Sequence, residues 1–277
     1  MSAKSRTERW YDENSDVENR RLDDGWLEFE VTKHVIQSCA EKLGLKKGRF
    51  LDVGGGPGRY AIDLARSEHT VVLSDLSSGN LELARTKAKE SGVELDGFIH
   101  ANALDIALHP TLSASCSRFD IVLCLGPMYH LPSYADRTQA LENCIVLAKP
   151  GGYILAAFVT VYAHLRDVAR REPGRLANEW AFYSRYLEHG KYERNTNMDM
   201  YHMYPENLDE DLRGVEGKVE VERVVSCEGF LGFGVAKELA KLTDGERRTW
   251  VDVVMRSADR MECRNSADHL LVVMRKK

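Results

Sequence analysis

Residues 50–60 read Phe50-Leu51-Asp52-Val53-Gly54-Gly55-Gly56-Pro57-Gly58-Arg59-Tyr60, an apolar run that enters a cluster of glycines and leaves it in a helical pattern. Phe50–Val53 has the nearly continuous apolar character of a parallel strand buried on both faces. After the glycines, Ile62, Leu64 and Ala65 fall on one side of a helix over Arg59–Arg66. A backbone without Cβ atoms can turn sharply between strand and helix and press its N–H groups against a ligand. The glycines follow D-x-G-x-G-x-G on Asp52, Gly54, Gly56 and Gly58. The dinucleotide fingerprint G-x-G-x-x-G needs glycine at position 59, and Arg59 stands there. A glycine-rich turn of some other nucleotide-binding α/β fold stays open on these residues alone.

Working outward, strand and helix patterns alternate. Thr70–Asp75 reads as a second strand ending in an acid, and Asn80–Ser91 as a helix with Leu81, Leu83, Ala84 and Ala88 inward. Phe98–Ala101 is a short third strand and Phe119–Leu125 an apolar fourth. A helix over Arg137–Leu147 follows, then a turn at Lys149-Pro150-Gly151-Gly152 and a fifth strand, Tyr153–Thr160. Strands separated by helix-length segments predict βαβ units and a parallel sheet with right-handed crossovers. Upstream, Leu27, Val31, Val35, Cys39 and Leu43 recur at helical spacing from Trp26 to a stop at Gly44. Residues before that are strongly polar apart from Trp10-Tyr11.

The alternation breaks after Thr160. Val161 to Leu212 shows no clear strand and carries Tyr162, Trp180, Phe182, Tyr183, Tyr186, Tyr192, Tyr201 and Tyr204. It reads as a helical lid, with a rigid aromatic subdomain core as the competing reading. The sheet resumes at Val219–Val225, followed by helices over Val235–Leu242 and Glu246–Met261 and a last strand, His269–Met274. One domain over 1–277 is expected, divided into an N-terminal helical segment (1–44), a binding core (45–160), the lid (161–212) and the rest of the sheet (213–277).

Composition narrows the class. Hydrophobic residues make up 43% and charged ones 29%, as in soluble globular proteins. A net charge of −5 and a pI near 6.0 argue against a broad nucleic-acid surface. No apolar run reaches the roughly 18 residues of a membrane span, and the polar N-terminus has no signal-peptide pattern. Cys39, Cys116, Cys124, Cys144, Cys227 and Cys263 are scattered without a C-x-x-C pair. They read as reduced packing residues of a cytoplasmic protein, with no metal site.

The glycine motif resembles motif I of the class I S-adenosylmethionine (SAM)-dependent methyltransferases. Three further stretches occur in that family's order: the acid Asp75, Ala101-Asn102-Ala103, and Phe119–Leu131 with the Lys149–Gly152 turn behind it. The resemblance implies a Rossmann-like, seven-stranded, mostly parallel sheet whose last strand is antiparallel. It also implies SAM as cofactor and S-adenosylhomocysteine as product. Asp75, about twenty residues past the turn, would bond the ribose hydroxyls, although it could instead cap the next helix, a task open also to Ser77 or Ser78. Leu76 would face the adenine. Asn102 stands where the family usually has an acid, and its carbonyl oxygen can accept from the adenine amino group; a plain turn is the alternative. Ala103 would lie beside it. Cys124, Leu125 and Gly126 would meet the methionyl end through main-chain groups. Tyr11 would close over the cofactor or merely anchor the N-terminus.

On the acceptor side, Tyr129 and His130 would stand beside the transferable methyl, and Tyr183, Tyr201 and Tyr204 would line the substrate. A methyl sulfonium is already activated, so alignment and exclusion of water can supply most of the acceleration. A hydroxyl or protonated amine also needs a base. His202 and His130 are the candidates, His202 facing the substrate and His130 orienting. The expected function is SAM-dependent methylation of nitrogen or oxygen on a small molecule, with no nucleic-acid partner. Protein or tRNA methylation, and SAM binding without transfer, are the alternatives. The residues name neither the acceptor nor an oligomeric state.

Overall fold

The computed structural model describes residues 4–113, 119–194, 198–232 and 235–277. Helices α1 (Arg6–Asp24) and α2 (Trp26–Lys42) precede β1 (Arg49–Val53), α3 (Arg59–Arg66), β2 (Thr70–Asp75), α4 (Ser78–Glu90) and β3 (Gly97–His100). Next come α5 (Pro110–Ser113), β4 (Phe119–Cys124), α6 (Tyr134–Leu147) and β5 (Ala148–Val159). The segment after β5 holds α7 (Val161–Arg171), α8 (Arg175–Asn178), α9 (Trp180–His189), the hairpin β6 (Lys191–Tyr192) and β7 (Met200–Tyr201), and α10 (Leu208–Leu212). The chain closes with β8 (Val219–Ser226), α11 (Val235–Leu239), α12 (Asp244–Met255), α13 (Met261–Asn265) and β9 (His269–Lys276).

Seven strands lie in the order β3-β2-β1-β4-β5-β9-β8. β1 to β5 pair in parallel, while β9 runs antiparallel to both neighbours. Because successive side chains alternate across a strand, each strand feeds two cores. Leu51, Val122, Ile154 and Val272 face the side of α6; Phe50, Ile121, Leu155 and Leu271 face the side of α2 and α3. Both faces are apolar, which is why β4 carries no solvent-facing alternation.

Element ends depart from the sequence reading for local reasons. Ser77 caps α4 by accepting from the Asn80 N–H, so that helix begins at Ser78. Ser133 does the same for α6, and a Thr243–Glu246 capping box starts α12. The Lys149–Gly152 turn lies inside β5 as a bulge: the register steps from Phe119↔Ala148 to Ile121↔Tyr153, with Gly151 at φ 74°. The polar N-terminal stretch forms helix α1, kinked at Asn14. The lid is not wholly helical, since Gly190 (φ 69°) ends α9 and turns the chain into the β6–β7 hairpin. Met203 then hangs the lid on the sheet, donating to the Val159 carbonyl (2.9 Å) and accepting from the Val161 N–H (3.0 Å). Cys39, Cys124, Cys144, Cys227 and Cys263 are buried and unbridged; Cys116 lies outside the described residues. Among the described residues no helix is long and apolar enough to cross a membrane.

Candidate active site

The glycine turn sits where β1, β2 and β4 end. Gly54, Gly56 and Gly58 take φ of 65°, 56° and 78°, values that an L side chain resists. Gly54 and Gly55 donate their N–H groups to the Ser74 carbonyl at 2.8 and 3.1 Å, folding the turn onto the end of β2. From the other side, a Cβ at Gly126 would stand 2.6 Å from the Gly54 carbonyl oxygen. The exits of β1 and β4 thus touch backbone to backbone. Over Gly56 the space is open, since an added Cβ would meet nothing nearer than Asn80 Nδ2 at 3.9 Å.

Asp75 binds this turn to α4. Its Oδ2 accepts from the Gly56 N–H (2.8 Å), and its Oδ1 from the Ser77 N–H (2.8 Å) and Asn80 Nδ2 (3.3 Å). The cap of α4 is therefore Ser77, and Asp75 holds the turn in place. Asp52 lies fully buried beneath the turn, and neither carboxylate oxygen has a hydrogen-bond partner at bonding geometry. Burial, followed by the charge of Asp75, pushes its carboxyl up to about 7, against a weaker pull from the Ala61 N–H.

Beside the turn, Leu76, Ala101, Asn102 and Asp105 line a cleft of about 360 Å³ together with Glu8, His100, Leu108 and His109. Asn102 Oδ1 accepts from the Leu104 N–H at 3.1 Å, so its side chain also shapes its own turn. Ala103 is buried in the core, its carbonyl bonded by Asn143 Nδ2 (2.8 Å). Cys124 is fully buried, main chain included, while Leu125 and Gly126 after it are partly exposed.

α1 lies over this edge. The Tyr11 hydroxyl is 2.7 Å from His130 Nε2. Asp12 accepts from Ser77 Oγ (2.7 Å) and the Gly79 N–H (3.1 Å) at the start of α4. Burial would raise the Asp12 carboxyl, but hydrogen bonds from Lys4, Ser77 and Gly79 bring it down to about 2. Arg6 reaches the lid, 2.6 Å from an Asp199 carboxylate oxygen.

The turn after β4, Pro127–His130, buries Met128 and leaves Tyr129 and His130 half-buried with ring centroids 4.7 Å apart. Arg137 fastens this loop to the lid. Its Nη1 donates to the Leu131 and Pro132 carbonyls (2.9 and 3.1 Å), and its Nε and Nη2 donate to Asp211 Oδ1 (3.0 and 2.5 Å). Tyr201 lies under the guanidinium and donates its hydroxyl to Asp211 Oδ2 at 2.8 Å.

Inside the lid, His202 is buried with Nδ1 2.9 Å from the Tyr186 hydroxyl, and it stacks on His164 at 5.1 Å. Burial, then the neighbouring His164 and His130, lowers its imidazole to about 3. Tyr183 is fully buried, its hydroxyl against His164 Nε2, and Tyr204 donates to the Leu187 carbonyl. The structure thus gathers Tyr11, Asp75, Leu76, Asn102, Tyr129, His130 and the glycine turn at one edge of the sheet. It places Tyr183, His202 and Tyr204 in the lid's own packing and Tyr201 in the main core under Arg137 of α6, each with its polar atom turned to a partner in the lid. Glu8, Asp12, Arg137 and Asp211 went unread in the sequence, since their partners stand far along the chain. Among the described residues no group of three or more His, Cys, Asp or Glu is placed to hold a metal ion.

Residues 50–152 match the family model described as a methyltransferase domain. The chain is 38% identical over 109 residues to the ubiquinone biosynthesis O-methyltransferase of Dinoroseobacter shibae, covering 39% of this chain and 40% of that one. It is 32% identical over 142 residues to the tRNA 5-carboxymethoxyuridine methyltransferase of Escherichia coli K12, covering 51% of each. The match therefore spans about half or less of these curated relatives. Among solved structures, a SAM-dependent methyltransferase from Methanosarcina mazei superposes with a TM-score of 0.54 at 18% identity, over 84% of this chain and 93% of that one. The N-methyltransferase NodS from Bradyrhizobium japonicum, in complex with S-adenosylhomocysteine, does so with 0.53 at 14% identity, over 92% and 90%. These two likenesses establish the fold.

Proposed function

We propose that this chain, whose residues 50–152 belong to the methyltransferase-domain family and whose sheet is that of the class I SAM-dependent methyltransferases, methylates a nitrogen or oxygen atom of a small molecule. Asp75, Leu76 and Asn102 would hold the adenosine end of SAM, and the open backbone of Gly54–Gly58 with the main chain of Cys124–Gly126 the methionyl end. When bound, SAM supplies a methyl group already activated on a sulfonium. The chain's own residues orient the acceptor and keep water out. His130, steadied by Tyr11, stands on the loop that meets the acceptor. His202 is bonded to Tyr186 and stacked on His164 inside the lid.

The observation that carries the reading is the cover. α1 is fastened to both α4 and the β4 loop, and Met203 hangs the lid on β5. A small acceptor fits beneath such a cover, whereas a folded macromolecule needs an open face. The acidic balance, −5 overall, also disfavours a polyanion. Incubation with methyl-labelled SAM and a metabolite extract tests this. Label in the small-molecule fraction is expected; label confined to tRNA or protein, or none despite SAM binding, overturns it.

A further inference from the structure

The cleft beside the glycine turn has a wall that comes from α1. Glu8, Tyr11 and Asp12 stand three and four residues apart and so share one face of that helix. Asp12 is bonded to Ser77 and Gly79 at the start of α4, and Tyr11 to His130, which turns this face toward the ends of the strands. Glu8, one turn earlier, lines the cleft together with Leu76 and Asn102. Its side chain is only 12% exposed. The nearest basic groups, Lys4 Nζ at 3.7 Å and His100 Nε2 at 3.8 Å, stay beyond hydrogen-bond distance. Both are committed elsewhere: Lys4 donates to Asp12, and His100 Nε2 donates to the Leu76 carbonyl at 2.7 Å. A largely covered carboxylate thus lines the cleft without a hydrogen bond among the described residues. Asp105 also lines it but is exposed, so water competes for its oxygens.

Asn102 presents the complementary group. Its Oδ1 accepts from the Leu104 N–H at 3.1 Å, which turns the carbonyl into its own loop. The other end of the amide, Nδ2, carries two N–H donors and makes no hydrogen bond among the described residues. Leu76 and Leu108 add apolar surface, and Leu108 is 78% exposed, a large side chain left open at the cleft. The cleft therefore combines a carboxylate acceptor, an amide donor and apolar surface for a flat ring. A 6-aminopurine offers the converse on its edge, an exocyclic amino donor beside the N1 acceptor. Its 6-oxo counterpart reverses both, with an oxygen acceptor beside an N1–H donor.

We propose that Glu8 selects the purine of the cofactor by accepting from its 6-amino group while Asn102 Nδ2 donates to N1, an inference that rests on the methyltransferase reading above. The Asn102 carbonyl, which the sequence alone turns to the amino group, is spent within its loop, and the acid comes from α1 instead. A carboxylate can only accept, so it discriminates where an amide, able to turn over, does not. Against a 6-oxo purine, Glu8 sets lone pair against lone pair and Asn102 Nδ2 meets N1–H, so neither edge contact forms. Because Glu8 shares its helix with Tyr11, the base is read by the same element that reaches the loop after β4.

The test titrates S-adenosylhomocysteine and its 6-oxo analogue, S-inosylhomocysteine, by calorimetry into wild type, Glu8→Gln, Glu8→Ala and Asp105→Asn. Wild type is expected to bind the amino form about a hundredfold more tightly, at about tenfold for each edge contact. Glu8→Gln keeps the shape, loses the charge and can donate to a 6-oxo group, so it should cut that preference by about tenfold. Glu8→Ala should weaken S-adenosylhomocysteine by about tenfold and leave the analogue within about twofold. A merely structural role in α1 would weaken both ligands alike. Asp105→Asn should keep the wild-type preference. A wild-type preference below about threefold, or one that both Glu8 variants leave unchanged, overturns the inference. Binding of neither ligand to wild type overturns the methyltransferase reading instead.

Discussion

The hydroxyl of Tyr11 bonds Nε2 of His130 across 2.7 Å, joining α1 to the loop after β4. The bond holds α1, whose Glu8 lines the neighbouring cleft, against that loop. Tyr11→Phe removes one partly buried hydrogen bond, worth about 0.5–1.5 kcal/mol. S-adenosylhomocysteine affinity should fall by about two- to tenfold, and amide exchange over residues 6–15 should quicken. Calorimetry and hydrogen exchange read the two effects; unchanged exchange would mean that Asp12 and Arg6 hold the helix down without this bond.

Asp75→Ala strips acceptors from the Gly56 and Ser77 N–H groups. Each buried donor left without a partner costs about 1–3 kcal/mol, so urea midpoints should drop even without ligand. Cofactor affinity should fall by more than about tenfold, as the loss of charge-assisted bonds implies. If stability falls while affinity holds, Asp75 is a brace for the turn and no ligand of the ribose.

The backbone contact between the β1 and β4 exits gives a second test. Gly126→Ala would put a Cβ 2.6 Å from the Gly54 carbonyl oxygen, where neither side is a flexible side chain. Overpacking of this kind costs about 1–3 kcal/mol and should shift the turn enough to impair cofactor binding. Gly217→Ala, where an added Cβ meets nothing within 4 Å, serves as the control and should leave both properties alone. Equal melting temperatures and affinities for the two variants would show that the exits are free to part.

Acid should loosen the lid. Burial brings His202 down to about 3 and, with help from Arg175, His164 to about 4. Both are depressed bases, so the folded lid prefers them neutral. Above the unfolded value of about 6.5 neither affects stability; below it the unfolded chain binds protons that the folded chain refuses. Between about 6.5 and 4 stability should therefore fall with pH, by about 3 kcal/mol for the two together at pH 5.5. Thermal melts at pH 7.5 and 5.5 measure the drop, and His202→Phe should shrink it by about half, since one of two sites is gone. A drop of equal size in that variant would assign the acid loss to other groups.

What the sequence disclosed follows from how local each signal is. The strand, glycine turn and helix over Phe50–Arg66 are consecutive residues, so their geometry is written where they stand. Asp75 was legible by position, but whether it caps α4 depended on Ser77, which takes the Asn80 N–H and leaves Asp75 those of Gly56 and Ser77. The aromatic run through Tyr183, Tyr201 and Tyr204 suits a substrate wall and a packed core equally well. Only the partners of the three hydroxyls, His164, Asp211 and the Leu187 carbonyl, separate those readings. β6 and β7 are two residues each, too short to show a period. Glu8 and Asn102 line one cleft from distant stretches of the chain, and neither neighbourhood announces the other.

The place of β9 bears on how the protein is made. It is the last strand of the sheet to leave the ribosome, yet it lies inside the sheet, between β5 and β8. Until His269–Lys276 emerges, the apolar run Tyr153–Phe158 waits with one ladder edge unpaired, and β8 has no partner at all. Such an edge is a template for pairing with another nascent chain. Because the pairing joins distant stretches of sequence, it also makes closure slow. A nascent chain stalled before residue 269 would be aggregation-prone, and holdase chaperones would find their binding site on β5.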